Sequence, residues 1–200
     1  MINSLLALSE GAKIGVGVGV GAVVLLVIIF IAVWISLYNK LLRLKNQVEE
    51  AWSTIDVHLK KRYDLIPNLV ETVKGYAKHE SGTLEAVIKA RNIAMTATTT
   101  SAKIDAENAL SGTLKSLFNL QEAYPQLKAN ENFMDLQKQL KEVEDEIASA
   151  RRYYNAVVRE FNTRLEIFPS NIVARGMRLE KQKYFELDSE EERKNVKVQF

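Results

Sequence analysis

The chain has 200 residues, a formal net charge of +2 and no cysteine. Nearly balanced charge excludes the strong basic field typical of nucleic-acid binding, and the lack of cysteine excludes disulfides and thiolate chemistry. Only four of the nine glycines lie beyond residue 21, which favours long uninterrupted helices. The sequence therefore predicts an all-α protein in which one body of about 160 residues forms a single core.

An uncharged apolar run of 24 residues occupies positions 14–37. As a helix it would be about 36 Å long, enough to cross a hydrocarbon core of about 30 Å. A cleaved signal peptide has a shorter apolar region and small residues at its cleavage site, whereas this run ends beside the bulky Trp34. We therefore predict a short segment over 1–13 and a retained transmembrane helix over 14–38, with Trp34 and Tyr38 anchored at one membrane interface.

Basic residues flank this run unequally. Lys13 precedes it, whereas Lys40, Arg43 and Lys45 follow it. Because cytoplasmic flanks of membrane helices carry the excess of Lys and Arg, the pattern favours a cytoplasmic body. The margin is three to one, and a body in the periplasm stays open as the alternative.

Glycines recur every four residues in two offset registers of the apolar run. One register holds Gly11, Gly15 and Gly19, and the other holds Gly17 and Gly21. Small residues at this spacing let two helix backbones approach closely in lipid, which predicts self-association of the anchors. The alternative is that glycine is simply common in membrane helices.

The next segment carries apolar residues at steps of three and four from Leu37 onwards, which predicts one helix running from the membrane to about Arg62. Pro67 lacks a backbone donor and disfavours helix at the residue before it. The sequence therefore predicts a break at Asp64–Ile66, with Asp64 capping the helix that follows.

Shorter helices are predicted beyond the break. One fades near Lys78, and the next begins at Ser81 and ends in a Thr-rich loop over 96–102. A third runs from about Asp105 to Tyr124, where Pro125 ends it. The first carries Leu69, Val70, Val73 and Tyr76, and the second has Leu84, Val87, Ile88 and Met95 on one side. The third is predicted to face inward with Leu110, Leu114, Leu117 and Phe118.

The strongest periodicity comes last. It predicts a long helix that Pro169 stops, with Phe168 resuming its apolar stripe, followed by a short turn of helix over 171–177. The stripe fits either an intermolecular coiled coil or the central helix of an intramolecular antiparallel bundle, and we favour the bundle because the other stripes need a partner. The helical bundle domain is placed at 39–180 and a charged tail at 181–200. The stripe residues are Phe133, Leu136, Leu140, Val143, Ile147, Ala150, Tyr154, Val157 and Phe161.

Two long blocks and a tail motif resemble the LemA family of bacterial membrane proteins. The blocks are WSTIDVHLKKRYDLIPNLVETVKGYAKHE at 52–80 and RRYYNAVVREFNTRLEIFPSNIVA at 151–174, and the acidic tail contains YFE. The resemblance implies a single-pass anchor in the bacterial inner membrane and a body similar to an up-and-down four-helix bundle. It implies no established enzymatic activity, although members have been linked to membrane remodelling, envelope stress and the neighbourhood of membrane proteases.

Signals for chemistry are weak. The chain has no Gly-x-Ser-x-Gly elbow and no HExxH, and His58 and His79 lie 21 residues apart. We predict no catalytic, cofactor or metal site. The best candidate for a special site is a polar set in which Asp56 and Lys60 can pair at i,i+4. The set is a partner or oligomer contact or, as we favour, a buried structural network, and comprises Asp56, Lys60, Arg62, Asp64, Asn68, Arg151, Asn155 and Asn162.

The sequence leaves three functions open. The first is a non-enzymatic, membrane-anchored scaffold that forms a homo-oligomer and organises or remodels the bilayer. The second is an adaptor that presents its helical bundle to another membrane protein, such as a protease or sensor. The third, which we favour least, is an enzyme using the carboxylates of Asp56 and Asp64. The first two make the lipid bilayer a partner, and none involves nucleic acid or a cofactor.

Overall fold

A computed structural model describes residues 10–186 and confirms the all-α class. Within that range no strand occurs and six helices follow one another. Of the predicted segments 1–13 and 181–200, only residues 10–13 and 181–186 lie in the described range. The helices are α1 (Glu10–Tyr76), α2 (Ser81–Thr96), α3 (Thr100–Ala123), α4 (Pro125–Lys128), α5 (Glu131–Glu166) and α6 (Ser170–Gly176).

The chain divides into two compact units. The first, here the anchor unit, comprises the described residues up to Asn46 together with Phe161–Lys181. The second, here the bundle unit, comprises Gln47–Glu160 and the described residues from Gln182 onwards.

The anchor unit consists mainly of the apolar first part of α1. The large apolar side chains between residues 18 and 35 are exposed, as in Phe30 at 65%. Within residues 10–186, α1 is the one helix long and apolar enough to cross a membrane. A small core lies just beyond this stretch, where Leu41, Val173 and Ala174 pack with four half-buried neighbours: Leu37, Leu165, Met177 and Leu179.

The bundle unit has the up-and-down arrangement that its short connections favour. Contacts between α1 and α5 run in opposite directions along the two helices, since Trp52 meets Tyr154 whereas Arg62 meets Glu144. Contacts between α1 and α3 run in the same direction, from Asp56 with Lys103 to Arg62 with Ser111. The buried core residues come from all of these helices and include Ile55, Leu59, Leu69, Val87, Ile104, Leu110, Leu117, Phe133, Val143 and Ile147.

The predicted break before Pro67 is wrong. Helix α1 continues through Pro67 to Tyr76, and Asp64 lies exposed inside the helix and caps nothing. A proline at this position leaves the carbonyl of Tyr63, four residues earlier, without its helical donor. The structure supplies another donor, because Arg91 Nε on α2 donates a hydrogen bond of 2.7 Å to Tyr63 O. The freed carbonyl is thus satisfied from a neighbouring helix.

Helix α2 turns a narrower face inward than its apolar residues indicated. Leu84, Val87, Ala90 and Ala94 are buried, whereas Ile88 and Met95, predicted on the same side as Leu84 and Val87, are 42% and 48% exposed. The buried face continues from Val87 through Ala90 and Ala94. A prediction based on large apolar residues does not include these alanines.

The connection after α2 is shorter than predicted. Only residues 97–99 are outside helices, and α3 begins at Thr100 rather than near Asp105. Thr99 caps α3, since its side-chain oxygen accepts a hydrogen bond of 3.2 Å from Ala102 N. The Thr-rich composition therefore marks a helix start as well as a loop. The predicted end before Pro125 is confirmed.

The stripe of α5 is confirmed for most positions, including Phe161 at its end, but Val158 takes the inward place predicted for Val157. Val158 is buried and Val157 is half-buried, while Leu136 is also only half-buried. Phe168 does not resume the stripe, because α5 ends at Glu166 and Phe168 is 78% exposed. The chain turns there, and Ser170 Oγ donates towards the carbonyls of Arg164 at 2.7 Å and Ile167 at 3.0 Å.

The donor role of Arg91 predicts a coupling between two substitutions. Arg91→Met leaves the Tyr63 carbonyl without a donor and should lower the free energy of unfolding by about 1–3 kcal/mol. Pro67→Ala restores the helical N–H, so the same Arg91→Met change should cost less than half as much in that background. Denaturant unfolding of the full chain in detergent, followed by circular dichroism, measures both. Equal costs in the two backgrounds would show that Arg91 does not replace the missing donor.

Candidate functional site

A buried arginine stands at the centre of the bundle unit. Arg62 on α1 is 1% exposed, and Glu107 on α3 is fully buried. The Arg62 Nη2 donates to Glu107 Oε2, and the phenol of Tyr63 donates to Glu107 Oε1. Since a buried charge is costly unless it is paired and hydrogen-bonded, this three-residue cluster satisfies both oxygens of the carboxylate.

The other side of the guanidinium reaches two further groups. Arg62 Nη1 lies 2.7 Å from Glu144 Oε2 and 3.2 Å from Ser111 Oγ. Glu144 is 44% exposed, so the network joins the core to the surface of α5. Three helices thus contribute to one set of charge-assisted hydrogen bonds, which favours one relative register of α1, α3 and α5.

The electrostatics of the cluster argue against acid–base chemistry. Burial and the neighbouring Glu107 carboxylate hold the pKa of Tyr63 well above its usual value of 10.0, so the phenol stays protonated and donates. The Glu107 carboxylate is matched by Arg62 and has no free edge towards solvent. The arrangement therefore suits a structural ion pair better than a general base.

A cavity of about 390 Å³ lies beside this cluster. It is polar towards Arg62 and Glu144 and apolar towards Leu114, Phe118 and Leu140. Three of its polar groups already engage one another, since Arg62 contacts both Glu144 and Ser111 in its wall.

The structure separates the predicted polar set. Asp56 pairs with Lys103 on α3 instead of with Lys60, and Lys60, Asp64 and Asn68 are exposed. Arg151 and Asn155 lie on α5 in a different part of the bundle unit from Arg62, and Asn162 belongs to the anchor unit.

Arg151 and Asn155 instead hold the chain that follows α6. Asn155 makes a pair of hydrogen bonds with the backbone of Phe185, accepting from its N–H at 2.8 Å and donating to its carbonyl at 3.0 Å. The Phe185 ring is 2% exposed, with Arg151 Cζ 4.3 Å from its centroid and the Trp52 ring 6.0 Å away. The YFE motif is therefore a docked segment of the fold.

Three further residues contact this segment. Tyr154 donates a 3.0 Å hydrogen bond from its phenol to Lys183 O, and burial raises its pKa above the usual value. Lys183 Nζ lies 2.9 Å from Ser101 Oγ, and Asn108 Nδ2 donates to Glu186 O at 3.2 Å. Residues 183–186 thus bridge α3 and α5.

Sequence reasoning missed Glu107, Glu144, Tyr63 and Phe185. Glu107 had a usable signal, because it falls on the inward stripe between Ile104 and Leu110, where a charged residue needs a buried partner. The docking of Phe185 had no comparable periodic signal.

No metal-binding cluster of three or more His, Cys, Asp and Glu side chains occurs within the described part of the chain. His58 Nδ1 lies 3.1 Å from Glu146 Oε2, and His79 is exposed.

The candidate residues of the anchor lie on the uncovered surface of α1. Gly15, Gly17, Gly19 and Gly21 are exposed, and a Cβ atom added at any of them meets nothing within 4 Å. The surroundings of Gly11 lie outside the described side chains. The predicted interface residues Trp34 and Tyr38 are 39% and 43% exposed, so both rings keep surface available to a membrane interface.

Comparison with known proteins now identifies the family. The family model described as "LemA family" matches residues 51–200, three quarters of the chain. The chain belongs to the LemA family. A curated relative, Protein LemA of Metamycoplasma hominis, is 29% identical over 151 residues, covering 74% of this chain and 68% of its own length. LemA is not a known enzyme family, and membership together with the apolar α1 describes a single-pass, membrane-associated protein.

For this LemA family member, we predict unequal effects of removing the two partners of Arg62. Glu107→Ala leaves the buried Arg62 guanidinium without its buried counter-charge and should lower the free energy of unfolding by about 3–5 kcal/mol. Glu144→Ala removes a partly exposed partner and should cost about 1 kcal/mol or less. The measurement is denaturant unfolding, with Glu142→Ala on the exposed face of α5 as control. Equal effects of the Glu107 and Glu142 changes would contradict the buried pair.

The docked LemA tail segment generates a second prediction. Asn155→Ala removes two hydrogen bonds to Phe185, each worth about 1 kcal/mol, so the segment should open roughly tenfold or more often. Trypsin cleavage after Lys183 should accelerate by the same factor, which mass spectrometry of the fragments measures. Asn68→Ala, at an exposed asparagine, is the matched control and should change nothing. An unchanged cleavage rate in Asn155→Ala would refute the docking.

Proposed function

We propose that this protein is a non-enzymatic scaffold anchored by α1 in the bacterial inner membrane, with its helical body on the cytoplasmic side. The observation that carries the proposal is the apolar surface of α1 between residues 18 and 35, whose large apolar side chains are exposed. In water such a surface would be strongly unfavourable, whereas a bilayer covers it completely. The excess of Lys and Arg after the apolar run supports the cytoplasmic side.

Self-association of the anchors is supported by the placement of the glycines. At about 100° per residue, Gly15 and Gly19 lie within about 40° of each other, whereas Gly17 lies about 200° from Gly15. The two registers therefore occupy opposite sides of α1, and each side leaves the helix backbone accessible. A helix with two such sides contacts two neighbours at once, which gives a ring or an array and thereby a means of organising the bilayer.

The non-enzymatic assignment is supported by the state of the buried acid. Glu107, the most buried carboxylate of the bundle unit, is neutralised by Arg62 and hydrogen-bonded by Tyr63. Asp56 and Asp64 are exposed on α1, and Asp56 is paired with Lys103. The carboxylates named for a catalytic role are thus solvent-facing or engaged.

A second candidate function is an adaptor that presents the bundle unit to another membrane protein, such as a protease or sensor. It is favoured by the outer face of α2, where Ile88, Ile93 and Met95 are exposed by 42%, 51% and 48%. Ile88 and Ile93 line a groove of about 400 Å³ whose rim carries Glu85 and Lys89. An exposed apolar groove with a polar rim is typical of a protein contact.

Cysteine crosslinking tests the scaffold directly, because the native chain contains no cysteine. Gly15→Cys alone should give dimers under oxidising conditions in lipid bilayers. Gly15→Cys with Gly17→Cys, which labels both sides of α1, should give a ladder extending beyond dimers. Electrophoresis of full-length protein reconstituted at several protein-to-lipid ratios measures both outcomes.

Two further variants serve as controls. Val20→Cys lies off both glycine sides and should crosslink weakly, although its side chain is 59% exposed. Adding Gly19→Ile to Gly15→Cys should abolish the dimer without disturbing the fold, since nothing surrounds the added side chain within the chain. Monomers at every ratio, or equal crosslinking at Val20, would contradict the scaffold and leave the adaptor as the better account.

A further inference from the structure

Helix α6 and the end of α5 lie next to the part of α1 that follows the apolar run. Val173 and Ala174 of α6 pack with Leu41 in the core of the anchor unit. Leu165, near the end of α5, and Leu179, after α6, pack against the same core. Leu41 is only three residues beyond Tyr38, so these elements reach the level at which α1 leaves the bilayer.

A cavity of about 480 Å³ shows how closely the two segments approach. Its walls include Trp34, Tyr38 and Lys45 from α1 and Gly176 and Met177 from the end of α6. Residues of α6 and of the chain after it therefore share a cavity with the aromatic side chains that mark the membrane interface.

The turn before α6 and the start of α6 expose three large apolar side chains. Phe168 is 78% exposed, and Ile167 and Ile172 on either side of it are 40% and 51% exposed. Exposed phenylalanine beside two exposed isoleucines within six residues is costly in water but typical of segments that rest in a lipid headgroup layer.

The same region concentrates positive charge. Residues 38–46 and 161–181 contain seven Lys and Arg against two Glu, although the whole chain carries only +2. The remainder of the chain therefore carries a formal net charge of −3. Of the seven, all except the half-buried Arg164 are exposed: Lys40, Arg43, Lys45, Arg175, Arg178 and Lys181.

Arg178 holds a backbone position that favours glycine. Its φ of 52° is the left-handed conformation, and the hydrogen bonds from Arg178 N to Arg175 O and from Leu179 N to Ala174 O close α6 as a Schellman motif. A long side chain is disfavoured at this position, where glycine would adopt the conformation freely. Arg178 therefore places a cation at the end of α6 in a backbone conformation that is strained for a residue other than glycine.

We infer that residues 164–181 form a second membrane-contact surface, on which the exposed arginines bind the headgroups of anionic phospholipids and Phe168 enters the interfacial layer of the same leaflet. The occupant is lipid because the surface continues from Trp34 and Tyr38, so the bilayer around α1 is already beside it. The positive charge complements an anionic leaflet. The inference does not depend on self-association of the anchors.

The test uses the full chain at one copy per lipid nanodisc, which removes contacts between copies. Phe168→Cys carries an environment-sensitive fluorophore, and Val57→Cys, exposed by 65% on the bundle unit, carries it as control. In discs containing phosphatidylglycerol, the label at 168 should shift to the blue and be quenched by lipids with spin labels near the headgroup. The label at 57 should do neither, and in purely zwitterionic discs the shift at 168 should largely disappear.

Charge variants complete the test. Arg175→Gln with Arg178→Gly removes two cations, and glycine at 178 suits the left-handed backbone, so the fold should be kept or stabilised. Since each basic residue near an anionic surface contributes roughly fivefold, the equilibrium constant between the lipid-bound and the free position of this surface should fall roughly twentyfold to thirtyfold. Lys138→Gln with Arg152→Gln removes two exposed cations from the bundle unit and should have no effect.

Three results would overturn the inference. The first is a label at 168 that remains as water-exposed as the label at 57 in anionic discs. The second is a shift at 168 that stays the same when the anionic lipid or the two arginines are removed. A shift that appears only when several copies share a disc would assign the surface to protein contact instead.

Discussion

The structure depends first on the exclusion of water from the apolar part of α1. Each buried methylene contributes about 0.8 kcal/mol, and a run of 24 uncharged residues presents dozens of such groups, so no exposed arrangement in water is competitive with lipid. The helix also satisfies its own backbone hydrogen bonds, which hydrocarbon requires. Both the proposed scaffold and the inferred lipid contact near α6 depend on this placement, because it would put the bilayer beside the glycine sides of α1 and beside Trp34 and Tyr38.

Within the bundle unit, buried polar contacts serve specificity more than they serve stability. A buried Arg62–Glu107 pair costs much of its attraction in desolvation, so an apolar core of the same volume would be comparably stable. The pair nevertheless penalises any other register, since a shift of α1 against α3 would leave a charge unpaired. Arg91 acts similarly by accommodating Pro67, and Asn155 fixes the backbone of Phe185. We regard these contacts as the features that select one arrangement of the helices.

Periodicity predicted the helices well because it reports burial directly, as the stripe of α5 from Phe133 to Phe161 illustrates. Rules that consider only neighbouring residues in the sequence failed where a residue far along the chain made the deciding contact. Pro67 did not break α1 because Arg91, 24 residues later, satisfies the freed carbonyl, and Asp56 found Lys103 on another helix instead of Lys60 on its own. Glu107 was recoverable as a charge on an apolar stripe. The docking of Phe185 was not, since a single aromatic residue after the last helix carries no pattern that names its partner.

Membrane fractionation of the native protein tests the central claim most directly. Cells expressing the untagged chain are broken without detergent, the membranes are washed with alkaline carbonate, and the intact mass of the protein is measured by mass spectrometry. The account predicts that the protein stays in the washed pellet with residues 14–37 intact and is released only by detergent. Release into the carbonate wash, or a mature protein that begins after residue 40, would contradict it.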